Sequence, residues 1–424
     1  MTQTNHSEVV SNERPGIFKD FAMKQLFKRL DGIPRGRLLV EDGSQIHAFG
    51  ASNELAEIKA SIIIHDQAAY SDIAFGGSIG SAEAYMAGKW TSPNLVDLIR
   101  LMSINIEFLN ALDDSRFLVK RLAKKTFHWF NRNTESRSKE NISAHYDLSN
   151  EFFALFLDPE MMYSSAVFET PLMDLDEAAV YKLDLVCRKL KLEPSDHLLE
   201  IGSGWGGMAI YAARHYGCRV TTTTISREQY QATCLKVEQA SLSDRVTVLF
   251  EDYRNLEGSF DKIVSIEMIE AVGHEFYDKY FSMCSSLLNS DGLMLLQAIT
   301  IPDQRYNDAI KSVDFIQRYI FPGGSLPSHG AIMTSVKQHT DMQMVDMHEI
   351  GGDYARTLSV WRERFMGRVK DVTAMGFDDQ FVRMWNYYLS YCQGAFEERV
   401  IGTSQILLAK PDWRDTNIPA NKNR

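Results

Sequence analysis

Between residues 197 and 301, β-rich runs alternate with helical stretches, and this alternation leaves few folds open to the chain. His197–Ile201, Arg219–Ile225, Val246–Phe250, Ile263–Glu267 and Leu293–Ile299 read as strands. Gly207–His215, Ser226–Ala240 and Tyr277–Leu288 between them read as helices. Regular β-α alternation calls for a mostly parallel, doubly wound α/β sheet with helices on both faces, and ligands collect at the carboxyl ends of such strands.

The first of these strands runs into Glu200-Ile201-Gly202-Ser203-Gly204-Trp205-Gly206-Gly207, and a helix follows. Gly202 and Gly204 let backbone approach a ligand where a Cβ would obstruct it, and the helix start offers free N–H groups. The third glycine is at the wrong spacing for a dinucleotide fingerprint, and the second strand ends in Thr224-Ile225-Ser226 with Gln229 one turn on, not in an acid. A phosphate loop is excluded for want of a Gly-Lys-Ser/Thr. Glu200 can instead meet an ammonium group, while Asp252 and Tyr253 after the third strand offer a carboxylate and a ring to a base. The combination points to S-adenosylmethionine.

Ahead of this region, residues 1–115 read as a small α+β accessory domain. Ile17–Leu30 sets Phe18, Phe21, Ala22, Leu26 and Leu30 on one helical face; Arg37–Glu41, Gln45–Phe49, Ala60–His65 and Tyr70–Phe75 read as strands; a helical pattern begins at Ser81, with Ala84, Leu95, Leu98 and Ile99 as core. Residues 116–140 form a basic linker, with Arg116, Lys120, Arg121, Lys124, Lys125, Arg132, Arg137 and Lys139 interrupted by Phe127, Trp129 and Phe130. It reads either as a solvated helix between domains or as a patch for anionic head groups, each basic residue adding about 1 kcal/mol near such a surface. The net charge of −11 is unevenly spread: residues 1–140 hold 18 basic and 17 acidic side chains, residues 141–424 hold 27 and 39. A polyanion would therefore meet the first third, and nothing later resembles a nucleic-acid module. Five cysteines without a Cys-x-x-Cys pair suggest neither a disulfide framework nor a zinc site, and no metal is expected. No hydrophobic run approaches bilayer length. The expected location is cytoplasmic, peripheral to the inner face of the membrane.

Several blocks carry a family likeness. Ala144-His145-Tyr146-Asp147-Leu148-Ser149-Asn150, Phe156-Leu157-Asp158-Pro159 and Tyr163-Ser164-Ser165-Ala166 resemble the opening of the catalytic domain of cyclopropane-fatty-acyl-phospholipid and mycolic acid cyclopropane synthases. The glycine loop, residues 224–230, Asp252-Tyr253-Arg254, Glu267-Met268-Ile269-Glu270-Ala271-Val272-Gly273 and Tyr319-Ile320-Phe321-Pro322-Gly323-Gly324 follow in that family's order. The likeness covers roughly residues 140–410, within a catalytic domain taken as 141–424, and implies the Rossmann-like class I methyltransferase fold.

The resemblance implies transfer of a methyl(ene) group from S-adenosylmethionine to the cis double bond of a phospholipid acyl chain, closing a cyclopropane through a carbocation. Tyr163, Ser164, Glu200, Gly202, Gly204, Thr224, Ser226, Gln229, Asp252 and Tyr253 are the expected cofactor residues. The family's base is a bound bicarbonate; by position its acid is Glu270, its phenol Tyr354, and its amide donors Ser165 and Ile299. Gln297 stands where the family has a histidine. Glutamine can still hydrogen-bond an anion but brings neither proton nor charge. Aromatic faces can stabilise the cation, with Tyr146, Phe168, Tyr319 and Tyr354 as candidates. Arg305, Lys311 and Arg318, on the amphipathic stretch after the fifth strand, read as a lid over the acyl chain or as the wet face of a packed helix. A fatty-acyl methyltransferase giving methyl-branched or methylated unsaturated chains, a small-molecule amine methyltransferase and a lipid-binding pseudoenzyme stay open. The partners expected are unsaturated phospholipid and a membrane surface met through residues 116–139; a homodimer stays open.

Overall fold

The computed structural model describes residues 16–50, 58–113 and 148–414, and the chain divides into two units, Met1–Ser115 and Arg116–Arg424. The basic stretch at 116–139, His145 and Tyr146 lie outside the described residues.

In the first unit a four-stranded sheet of β1 (Arg37–Asp42), β2 (Gln45–Gly50), β3 (Lys59–Ile64) and β4 (Trp90–Thr91) has the order β2-β1-β3-β4. β1 pairs antiparallel with β2 and parallel with β3. Ala84, Leu95, Leu98 and Ile99 are buried as expected. Two expectations fail. Tyr70–Phe75 is not a strand but part of the helix Ala68–Met86, which kinks at Gly77 (φ 62°, ψ −143°). Its start is set by Asp66, whose Oδ1 accepts the Ala68 amide at 2.8 Å, and Tyr70 and Ala74, one turn apart, are both buried. Tyr70, Ile73 and Ala74 recur three and four residues apart, the spacing of a helix and not of a strand. Phe21 on the helix Gly16–Leu30 is 49% exposed, because Ala22, Leu26 and Leu30, four residues apart, form the buried row.

The second unit is built on seven strands: β5 (His197–Ile201), β6 (Arg219–Thr224), β7 (Val246–Phe250), β8 (Phe260–Ile266), β9 (Leu288–Thr300), β10 (Gln343–Glu349) and β11 (Gly402–Ala409). Their order is β10-β11-β9-β8-β5-β6-β7. β5 to β9 run parallel, while β11 pairs antiparallel with β9 and β10 with β11. Strand pleating sends neighbours to opposite faces, so Leu198 and Leu295 enter one core while Leu199 and Leu296 enter the other. The stretch after β9 folds into two short helices, Asp303–Ala309 and Phe315–Tyr319, with Phe315 and Ile320 buried and Arg305 donating to the Val400 carbonyl. Phe381–Tyr391 lies within the helix Asp379–Glu397, as a core helix should. All five cysteines are free thiols.

Candidate active site

At the end of β5 the chain turns through Gly202 (φ 98°), Gly204 (φ 49°) and Gly206 (φ 86°) into the helix Gly207–Tyr216. These are left-handed conformations that side chains resist. A Cβ on Gly204 would meet nothing within 4 Å, so the loop borders open space, whereas one on Gly202 would press Met268 at 3.2 Å. Glu200, two residues before Gly202, is buried and accepts the Thr222 hydroxyl at 2.6 Å. Burial pushes its carboxyl up to about 8, against the pull of Thr222 and Lys182.

Lys182 carries no motif. It projects from the buried stripe of the helix Leu175–Leu190 (Ala178, Ala179, Lys182, Leu183, Val186) and is fully buried. Its Nζ donates to Ser164 Oγ at 2.8 Å. Burial lowers its ammonium to about 8, while the charges of Glu267, Asp158 and Glu200 oppose that fall. A lysine inside an apolar stripe is the signal that could have singled it out.

At β6, Thr224 Oγ1 donates to Gln229 Oε1 at 3.0 Å, and Ser226 caps the helix Arg227–Gln239 by accepting the Gln229 amide. Thr224, Ser226 and Gln229 are therefore one rigid corner beside the glycine turn. Asp252 is buried and grips Arg254, Oδ1 receiving Nε at 2.8 Å and the Arg254 amide at 3.0 Å, Oδ2 receiving the guanidinium at 2.6 Å. One lone-pair direction remains on Oδ2 for a ligand. Tyr253 packs edge-on to Tyr280. The backbone at Gly202 and Gly204 allows close approach of a ligand, and the corner of Thr224, Ser226 and Gln229 sets polar groups at the end of the second strand, features that suit S-adenosylmethionine.

Tyr163 brings the aromatic wall. Its hydroxyl lies 2.9 Å from that of Tyr388, and its ring packs on Phe153, Trp361 and Phe321. Next to it, Asp158 accepts the amides of Glu160 and Met162 and so shapes the loop that presents Ser164 and Ser165. Phe168 is covered on one face by the Arg356 guanidinium, 4.0 Å from its ring, and Tyr319 has Arg318 5.5 Å from its own.

The groups expected to hold bicarbonate do come together, but around two carboxylates of the chain. Glu267 Oε1 accepts the Ser165 amide at 2.9 Å and Gln297 Nε2 at 2.8 Å; Glu267 Oε2 accepts the Tyr354 hydroxyl at 2.8 Å. Gln297 is fixed in this sense because its Oε1 receives Gln405 Nε2 at 3.0 Å. The Ile299 amide donates to Glu270 Oε1. Glu270 Oε2 is buried and has no hydrogen-bond partner among the described residues. Burial first, then the charge of Glu267, pushes Glu270 up to about 8. Burial also raises Glu267, opposed by its three donors and by Lys182. Donors of Ser165, Gln297, Tyr354 and Ile299 are thus all engaged, and the set does not fit a bicarbonate held among them. The sequence assigns Glu267 no role, because nothing in the string says which of two acids, Glu267 or Glu270, faces the donors.

Comparison with known proteins bears on the family and the fold. The family model "mycolic acid cyclopropane synthetase" matches residues 133–406. The chain is 35% identical over 393 residues to the tuberculostearic acid methyltransferase of Mycobacterium tuberculosis, covering 88% of this chain and 87% of that one. It is 37% identical over 335 residues to the cyclopropane-fatty-acyl-phospholipid synthase of Escherichia coli, covering 79% and 84%. Among solved structures, a mycolic acid cyclopropane synthase complexed with SAH and CTAB superposes with a TM-score of 0.61 at 32% identity, over 64% of this chain and 98% of that one. The parallel sheet, the glycine turn and these matches together make the chain a member of the mycolic acid cyclopropane synthetase family, an S-adenosylmethionine-dependent methyltransferase.

Proposed function

We propose that the chain alkylates the cis double bond of unsaturated phospholipid acyl chains and closes a cyclopropane ring. The observation that carries this reading is the meeting, beside the glycine turn, of a buried carboxylate network with an aromatic wall of Tyr163, Trp361, Phe321 and Tyr388. S-adenosylmethionine supplies an electrophilic methyl group. An isolated alkene is a feeble nucleophile, so the chain's contribution is positioning and exclusion of water. The aromatic faces suit a developing cation, and the buried carboxylates suit removal of a proton. Ser164 and Lys182 hold the loop that places Tyr163 against Trp361, and the glycine turn, Glu200, Thr224, Ser226, Gln229, Asp252 and Tyr253 serve the cofactor. Similarity to the Escherichia coli synthase supports the phospholipid substrate, and the basic, aromatic stretch at 116–139 supports reversible attachment to an anionic membrane surface. Among the described residues no helix is long and apolar enough to cross a membrane.

A methyl-branched or methylated unsaturated product is the second reading, drawn from the similarity to the tuberculostearic acid methyltransferase. The test is expression in a host lacking its own synthase, followed by mass spectrometry and proton NMR of the membrane lipids. One added CH2 in unsaturated acyl chains with upfield ring protons is the expected result. A new chain-methyl or methylidene signal without ring protons instead favours the second product, and turnover on a soluble amine with unaltered lipids overturns both.

A further inference from the structure

Glu267 combines three features that the fold itself does not require. It follows directly on β8, at the carboxyl edge of the sheet where ligands gather. Its φ is +50°, a left-handed conformation that a non-glycine residue adopts only against strain. Its side chain accepts three hydrogen bonds from donors that reach it from distant segments: Ser165, Gln297 and Tyr354 are 102, 30 and 87 residues away. An ionised carboxylate is an acceptor only, and three donors with no acceptor opposite them describe the ionised form. One lone-pair direction stays free on Oε2. Glu270 beside it has one oxygen on the Ile299 amide and the other without a partner among the described residues, and burial and the charge of Glu267 hold its carboxyl above the usual range. Two neighbouring carboxyls with such different surroundings divide the roles of base and acid.

We infer that the Glu267 carboxylate is the general base of the reaction, built into the chain at the place where the family resemblance implies a bound bicarbonate. This rests on the alkene-alkylating function proposed above. In the step it performs, a C–H bond of the newly transferred methyl breaks, its electron pair forms the closing C–C bond to the cationic carbon, and the proton passes to Glu267. The ring product is neutral, and the carboxyl returns to its ionised form by losing that proton before the next turnover. Tyr354 and Gln297 act as positioning residues, aiming the carboxylate; Gln297 has no need of the charge a histidine would bring, since the anion is already part of the protein.

The test uses the purified full chain, S-adenosylmethionine and vesicles of an unsaturated phosphatidylglycerol, in buffer depleted of carbon dioxide and again with added bicarbonate. The wild-type chain is expected to run at the same rate in both. Glu267→Gln is expected to lose about 10²-fold or more of the rate, with bicarbonate giving no recovery because the amide fills the site. Glu267→Gly, which suits the left-handed backbone and leaves the three donors facing a gap, is expected to be equally slow without bicarbonate and to recover with it. Calorimetric binding of S-adenosylmethionine at wild-type strength shows that each variant is folded. Dependence of the wild-type chain on bicarbonate, or a wild-type rate and product from Glu267→Gln, overturns the role of Glu267. No lipid product from the wild-type chain overturns the proposed activity itself.

Discussion

Lys182 and Ser164 meet through a 2.8 Å hydrogen bond in a region that water does not reach, and the lysine's charge stands among Glu267, Asp158 and Glu200. Removing one partner from a buried charge cluster leaves the others uncompensated, which typically costs about 3–5 kcal/mol. Lys182→Met should therefore destabilise the chain by about that amount despite its good packing volume. Urea unfolding at neutral pH measures it, and a loss below about 1 kcal/mol would mean that the acids do not depend on this cation.

Stability should fall as pH rises from mildly acid to mildly alkaline. Glu200 and Glu270 have folded values near 8 against ordinary values of 4.5. Between those values the folded form holds protons that the unfolded chain has released, so their stabilising effect is complete below about 4.5 and is lost on the way to 8. Each group contributes a slope of up to about 1.4 kcal/mol per pH unit. Glu270→Gln should remove its share: urea midpoints at pH 5.5 and 7.5 should differ less in the variant than in the wild-type chain. Equal differences would deny Glu270 a raised value.

Gly204→Ala isolates the backbone at the cofactor turn. With φ at 49° and nothing within 4 Å of the added methyl, the expected loss of stability is about 1–2 kcal/mol, that of a left-handed alanine. Because the methyl enters the space that the loop borders, S-adenosylmethionine affinity should fall about tenfold or more, equivalent to about 1.4 kcal/mol. Calorimetry showing unaltered affinity would move the cofactor away from Gly204.

Charge reversal at Lys120, Lys124 and Lys125 should weaken sedimentation with anionic vesicles and leave S-adenosylmethionine affinity unaltered, since about 1 kcal/mol is at stake for each basic residue near the surface. An unaltered vesicle partition would reduce the stretch to a linker.

Sequence periodicity was sufficient for the five parallel strands and their helices, because side chains alternating about a strand or recurring along a helix are local signals. The glycine turn was legible for the same reason: Gly202 and Gly204 are adjacent to the structure they create. The strand expected at Tyr70–Phe75 failed because Asp66 starts a helix there, on a string whose apolar residues Tyr70, Ile73 and Ala74 recur at helical spacing.

The chain by itself determined the doubly wound sheet, the glycine turn and the family likeness. Only the tertiary structure decided which acid the donors of Ser165, Gln297 and Tyr354 surround. Ser165, Gln297 and Tyr354 belong to a loop, to β9 and to the helix Gly351–Gly367, and they converge because β9 is paired beside β8, with Gln297 opposite Ile266, and that helix packs nearby. Glu267 and Glu270 are three residues apart and chemically identical in the string. Their difference comes from the left-handed turn at Glu267, which carries one carboxylate to three donors and leaves the other with the Ile299 amide.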